Sequence, residues 1–300
     1  MSDNIYKALV AAAKAAPGII DRLFPGSDIA VKAIDARIEK IKQMNLPIDE
    51  ETALILKAPR DVKWLKNQLE IAQKIAEIAK PGTDFSNPKV DDDFVDRFME
   101  EAKHVSDEGV QTMWAGVLAG EFEKPNSTPP SIIRILVEMR KEFAEVFENI
   151  CKMSSLIFVD DGKEFPKKEK IRVIFLVWNL EFLKRQNISI YTLDELETLG
   201  LIKVNNPYGY GMRDWKYNVS HLIYGKKVFT IKNTNLKALH TGNVKFTEAG
   251  ECLARYAKDE PIDGYIEYLK ENWDGVTFEE EVTARAKFDD DGEIVGLIRI

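Results

Sequence analysis

Apolar residues recur at helical spacing through the first half of the chain. Ile5, Leu9, Ala12 and Ala16 line one side of a helix over 5–16, and Pro17-Gly18 breaks it. Ile19, Ile20, Leu23 and Phe24 follow before Pro25-Gly26. A helix over 28–44 turns Val31, Ile34, Ile38 and Ile41 inward, and another runs to about Lys80 with Val62, Leu65, Leu69, Ala72, Ile75 and Ala79. Pro81-Gly82 stops it, and residues 81–93 form a polar linker. Phe94, Val95, Phe98, Met99 and Ala102 mark the next helix face. Ser106 caps a regular helix carrying Val110, Met113, Trp114, Val117 and Leu118, with a small-residue side of Ala115, Gly116, Ala119 and Gly120. After a loop at 124–131, one long helix is predicted from Ser131 to Met153.

The pattern then changes. Residues 171–178 are a buried run, helix or strand. A helix over Tyr191–Leu199 ends at Gly200, and Leu201–Val204 begins a strand. Residues 217–224 and 227–232 flank Gly225-Lys226, a hairpin signal. A short strand at 243–246 precedes a helix capped by Thr247, and the remainder holds a helix near 261–272 and a final hairpin. This order predicts a mainly α protein: an N-terminal helical bundle with a C-terminal winged-helix-like α/β module. The expected divisions are an amphipathic segment 1–26, a helical domain 27–153, a winged-helix-like domain 154–257 and an acidic tail 258–300.

Charge sharpens this picture. The 300 residues carry a net charge of −8, yet 151–250 hold 16 Lys/Arg against 10 Asp/Glu and 251–300 hold 6 against 14. So acidic a chain argues against non-specific nucleic-acid binding, whose affinity comes from neutralising phosphates. Two cysteines, Cys151 and Cys252, have no zinc spacing and read as buried thiols in a reducing compartment. No leader pattern and no spanning apolar run is present, which predicts a cytoplasmic location. No phosphate-binding loop, nucleophile elbow, calcium loop or metal-spaced histidine set stands in the sequence, so no cofactor or metal is expected. Arg97 and His104 have the R-x6-H spacing of helical HEPN-type ribonucleases, against a reading as a solvated face. Trp215, in the polar and aromatic stretch 205–217, is the tryptophan expected to be exposed. With Lys226 and Lys227 at the hairpin tip, it is the candidate partner contact.

One stretch is specific. Ser106-Asp107-Glu108-x-x-Gln111-x-x-Trp114-Ala115-x-x-Leu118-Ala119-Gly120-Glu121 resembles the signature of a bacterial family of uncharacterised proteins similar to the Abi-alpha abortive-infection proteins. Leu196-x-x-Leu199-Gly200-Leu201-Ile202 and Phe246-Thr247-x-x-Gly250-x-x-Leu253 also look like that family, so the resemblance spans roughly 90–255. The loop after Glu121 departs from it, with KPNSTPP in place of a turn richer in glycine and serine. The resemblance implies a role in bacterial phage defence through killing or arresting the infected cell, and it implies no catalytic residue.

The resulting expectation is an effector that acts by binding and assembly and is not an enzyme. It would sense a multimeric phage structural protein, form a homo-oligomer and perturb the inner membrane, with no small-molecule substrate. The membrane or assembly face is Ile5, Leu9, Ala12, Ala16, Ile19, Ile20, Leu23 and Phe24, with Pro17 and Gly18 as the hinge. The alternatives are a winged-helix nucleic-acid-binding regulator and a HEPN-like ribonuclease.

Overall fold

The computed structural model describes residues 19–23, 63–158 except 65, 171–173, and 181–299 except 206–207, 214, 216–217, 226, 235–237, 258–259, 283 and 289–293. The protein is a mixed α/β chain with small antiparallel sheets, and it divides into two compact units, 1–141 and 142–300.

The first unit is helical as described: α1 (Ile19–Leu23), α2 (66–78), α3 (Asp92–Ala102), α4 (Glu108–Glu123) and α5 (Ile132–Glu138). Its core gathers the apolar stripes read from the sequence. Leu69, Ala72 and Ile75 of α2, Val95, Phe98 and Met99 of α3, and Ile132, Ile135 and Leu136 of α5 are all buried. The helix α4 is buried on nearly every side, including its small-residue side at Ala115, Gly116 and Ala119. An apolar stripe alone would have left one face in water. The absence of bulky side chains on the second face lets neighbouring elements pack there too. Ring contacts tie the layers: Phe98 meets Trp114 edge-on at 4.6 Å, and Phe85 meets Phe122 at 5.3 Å.

Two local predictions are corrected. The cap of α4 is Asp107, whose Oδ1 accepts from the N–H groups of Gly109 (3.0 Å) and Val110 (3.2 Å). Ser106 instead accepts from Asn67 Nδ2 at 3.2 Å. The expected helix 131–153 is broken, because Met139 adopts an extended conformation (ψ 112°) between α5 and α6 (Lys141–Lys152). Periodicity counts faces and not continuity. Ile135 and Leu136 before the break, and Phe143, Phe147 and Ile150 after it, are buried either way.

The second unit begins in α6 and continues through β1 (Ser155–Phe158), β2 (Ile171–Val173), α7 (Glu181–Arg185), α8 (Ile190–Leu199), β3 (Ile202–Val204), β4 (Tyr210–Arg213), β5 (Val219–Tyr224), β6 (Lys227–Asn233), β7 (Ala238–Gly242), β8 (Val244–Phe246), α9 (Glu248–Ala254), α10 (Tyr265–Asn272), β9 (Val276–Val282), β10 (Ala284–Phe288) and β11 (Ile294–Arg299). Five strands form one antiparallel sheet in the order β2-β1-β5-β6-β9. The hairpin at Gly225 is where the sequence places it, with φ 56°. The strand β9 pairs along β6 from Asn233↔Val276 to Val228↔Val282, so the acidic C-terminal region supplies a strand of the central sheet.

The same region packs on the sheet through α10. Tyr265, Leu269 and Trp273 are buried, with Tyr224 and Tyr265 rings 4.9 Å apart. The Tyr224 hydroxyl accepts from the Ile262 N–H at 2.6 Å. Three two-stranded ribbons complete the unit: β3–β8, β4–β7 and β10–β11.

Candidate functional site

The specific stretch on α4 resolves into packing and into hydrogen bonds that hold loops. Gln111 is buried, and its Nε2 donates to Glu70 Oε2 on α2 (3.0 Å) and to the Val105 carbonyl (3.1 Å). Asn67, also buried, donates to the Lys103 carbonyl at 2.8 Å. Glu121 is 5% exposed and uses both carboxylate oxygens on the following loop, accepting from the N–H groups of Asn126 (2.5 Å) and Thr128 (3.0 Å). A buried carboxylate is tolerable only when so satisfied. Gln111 thus makes a contact between helices, while the burial of Glu121 depends on a following loop and leaves no local signal in the sequence. Trp114 and Leu118 are fully buried core.

Beside the N-terminus of α4 lies a cleft of about 380 Å³, lined among others by Glu101, His104, Asp107, Val110, Trp114 and Lys141. Lys141 pairs with Asp107 at 3.3 Å. Burial works to raise the Asp107 pKa, but the Val110 and Gly109 amides and the Lys141 ammonium outweigh it and hold the carboxyl below its ordinary value. A lowered folded-state pKa gives stability that is fully present above the unfolded value of about 3.9 and is lost as pH falls through the folded one. Wild type is therefore expected to exceed Asp107→Asn in urea stability at neutral pH, by about 1 kcal/mol or less after solvent screening. That difference should shrink as acid protonates the folded-state carboxyl; a gap that does not change at all on acidification would refute the assignment.

Arg97 is exposed on α3, but α3 ends at Ala102 and His104 lies beyond it in the following turn. The argument that seven-residue spacing aligns the two on one helix therefore fails. The His104 ring instead meets Trp64 edge-on at 5.1 Å.

Of the proposed membrane or assembly face, Ile5, Leu9, Ala12, Ala16 and Phe24, with the hinge Pro17-Gly18, lie outside the described residues. Ile19, Ile20 and Leu23 are on α1, where Ile19 and Leu23 are buried at 0% and 6% exposure. Between them Arg22 donates to the Val90 carbonyl (2.8 Å) and pairs with Asp92 (2.7 Å).

Trp215 is buried, at 4% exposure, which corrects the expectation that it is the exposed tryptophan. Polar flanks do not decide where one indole points, and the area it removes from water outweighs them. Lys226 lies outside the described residues, and Lys227 is exposed at the start of β6.

The two later stretches come together. Gly200 ends α8 in the left-handed conformation, and β3 pairs with β8 in the register Ile202↔Phe246. Thr247 caps α9 by accepting from the Gly250 N–H (3.1 Å), and its own hydroxyl donates to the Gly200 carbonyl (2.5 Å). The outward stripe of α8 carries Ile190, Tyr191, Asp194, Glu197 and Thr198. On the ribbon, exposed Lys203 stands directly opposite exposed Lys245, whose ammonium lies 4.7 Å from the Tyr210 ring centre. Burial, and then the charge of Glu197, raise the Tyr210 pKa above its ordinary value.

Among the described residues, no cluster of His, Cys, Asp and Glu could hold a metal ion, and no helix is long and apolar enough to cross a membrane. Neither curated proteins nor solved structures gave a match to the chain. Residues 58–270, more than half of the chain and including the α4 stretch and the α8–α9 pair, match the family described as "Protein of unknown function (DUF2806)", and the chain belongs to that family.

Proposed function

We propose that the protein is an abortive-infection effector that senses a multimeric phage structural component, assembles, and perturbs the inner membrane through its N-terminal amphipathic segment. The observation that carries this reading is the docking of the described end of that segment. Ile19 and Leu23 are buried, and Arg22 reaches the Val90 carbonyl and Asp92. An amphipathic stretch held by two apolar side chains and one polar clamp has a stored arrangement from which it can be released. The α8–β3–β8–α9 assembly serves as a winged-helix-like sensor in a protein that is cytoplasmic at rest.

The α4 stretch is structural in this reading: Asp107, Gln111 and Glu121 are each engaged in holding the helix end, a neighbouring helix or the following loop. The nucleic-acid reading has the Lys203–Lys245 pair in its favour, but the carboxylates on the outward stripe of α8 would repel a phosphate backbone.

The test is dye entry into expressing cells, with and without phage, for wild type and Leu9→Asp. Permeabilisation on infection in wild type, and its loss in a folded Leu9→Asp protein, is the expected outcome. Growth arrest with membranes intact would overturn the proposal.

A further inference from the structure

We infer that the chain self-associates by docking the acidic outer stripe of α8 on the basic outer face of the β3–β8 ribbon of a second copy. The inference deepens the assembly reading above and rests on it only for its biological purpose.

Two features of the second unit are unfavourable in an isolated chain. The helix α8 carries Asp194, Glu195 and Glu197 past its first turn and no basic residue in its last, so its charges oppose the helix dipole. Glu197 is partly accounted for, since its Oε1 accepts from the Val204 N–H at 3.1 Å. Asp194 and Glu195 make no ion pair with any described residue. Beside these carboxylates Ile190 and Tyr191 are 60% and 59% exposed, at the N-terminal end of the same stripe.

The ribbon has the opposite defect. Like charges directly opposed across two strands are destabilising, and Lys203 faces Lys245. Neither has a carboxylate partner among the described residues, although the Lys245 ammonium lies over the Tyr210 ring. Tyr208, 84% exposed, and Met212, 39% exposed, lie on the neighbouring strand and the loop before it.

Each surface thus carries exposed charge with no ion pair among the described residues, near exposed apolar side chains, and the two charges are of opposite sign. A second copy answers both at once. A polyanion would answer only the lysines and would meet the α8 carboxylates and a net charge of −8. Exposed charge pairs set register and encounter rate more than affinity, so the association is weak, of roughly micromolar strength, and weakens with salt. Arraying copies on a repeating template would then drive it by raising their effective concentration.

The experiment is sedimentation velocity of the full chain over a concentration series at low and high salt. Wild type is expected to self-associate, and Asp194→Lys with Thr198→Lys, or Lys203→Glu with Lys245→Glu, to weaken it at least tenfold. Combining all four substitutions should restore it. Circular dichroism confirms that each variant is folded. The inference is overturned by monomeric wild type at every concentration, by reversals that leave association unchanged in folded protein, or by four substitutions that do not restore it. Salt-sensitive binding of random DNA that depends on Lys203 and Lys245, in a protein that stays monomeric, would assign the ribbon to nucleic acid instead. Self-association with membranes intact after infection would sink the effector reading alone. Dye entry that survives in dissociated variants would sever the interface from that function.

Discussion

Trp114→Ala is expected to destabilise the helical unit by about 3–5 kcal/mol, the range for deleting a fully buried large aromatic side chain. The indole has no exposed surface and lies edge-on to Phe98 at 4.6 Å, in a helix buried on nearly all sides. The cavity term adds to the lost transfer energy. Trp114→Phe keeps the ring contact and most of the volume, and should cost much less. Urea denaturation followed by circular dichroism measures both. Equal losses for the two variants would show that indole volume is not what holds α4 in place. The position belongs to the stretch by which the family resemblance was drawn, so a loss of function there would report on folding before it reported on any site.

Gly250→Ala is expected to destabilise the second unit. A Cβ built on Gly250 would stand 2.0 Å from the Leu201 carbonyl oxygen, well inside any real contact. That oxygen cannot move freely, because it accepts from the Thr247 N–H at 3.0 Å as α8 hands over to β3 and β8 to α9. Overpacking of this kind costs about 1–3 kcal/mol or more, and here it would also force apart the turn that joins both stretches. Gly82→Ala is the control. Gly82 has φ 90° with nothing within 4 Å, so only backbone strain of roughly 1 kcal/mol applies. Comparable melting temperatures for Gly250→Ala and wild type would refute the close approach.

Helices and their ends were largely legible in the sequence, since a 3.6-residue period and a capping residue are local signals. Thr247, Gly200 and the hairpin at Gly225 are where they were read. The sheet was not legible to the same degree. The strand β9 reads Val-Thr-Phe-Glu-Glu-Glu-Val, and its acidic residues mask the alternation that would mark a strand. The β4–β7 ribbon is short and exposed on the β4 side, so burial leaves little pattern in it. Pairing partners far apart in sequence leave no local trace at all. At the candidate site the aromatic and apolar positions of α4 were read correctly as core, whereas the burial of Glu121 depends on a loop that folds back over it. The helix break after Glu138 carries neither glycine nor proline to announce it.

The pairing of β9 with β6 has a consequence for synthesis. The helical unit is complete once residue 141 has been made, but the central sheet waits for residue 282. At ~5–20 residues per second, those 141 further residues take roughly 7–28 s. Until then β6 presents an open edge, the kind of surface on which strands of other nascent chains can add. The interval is one in which a helical half can already be folded while its neighbour is still exposed to chaperones and to other copies on the same messenger.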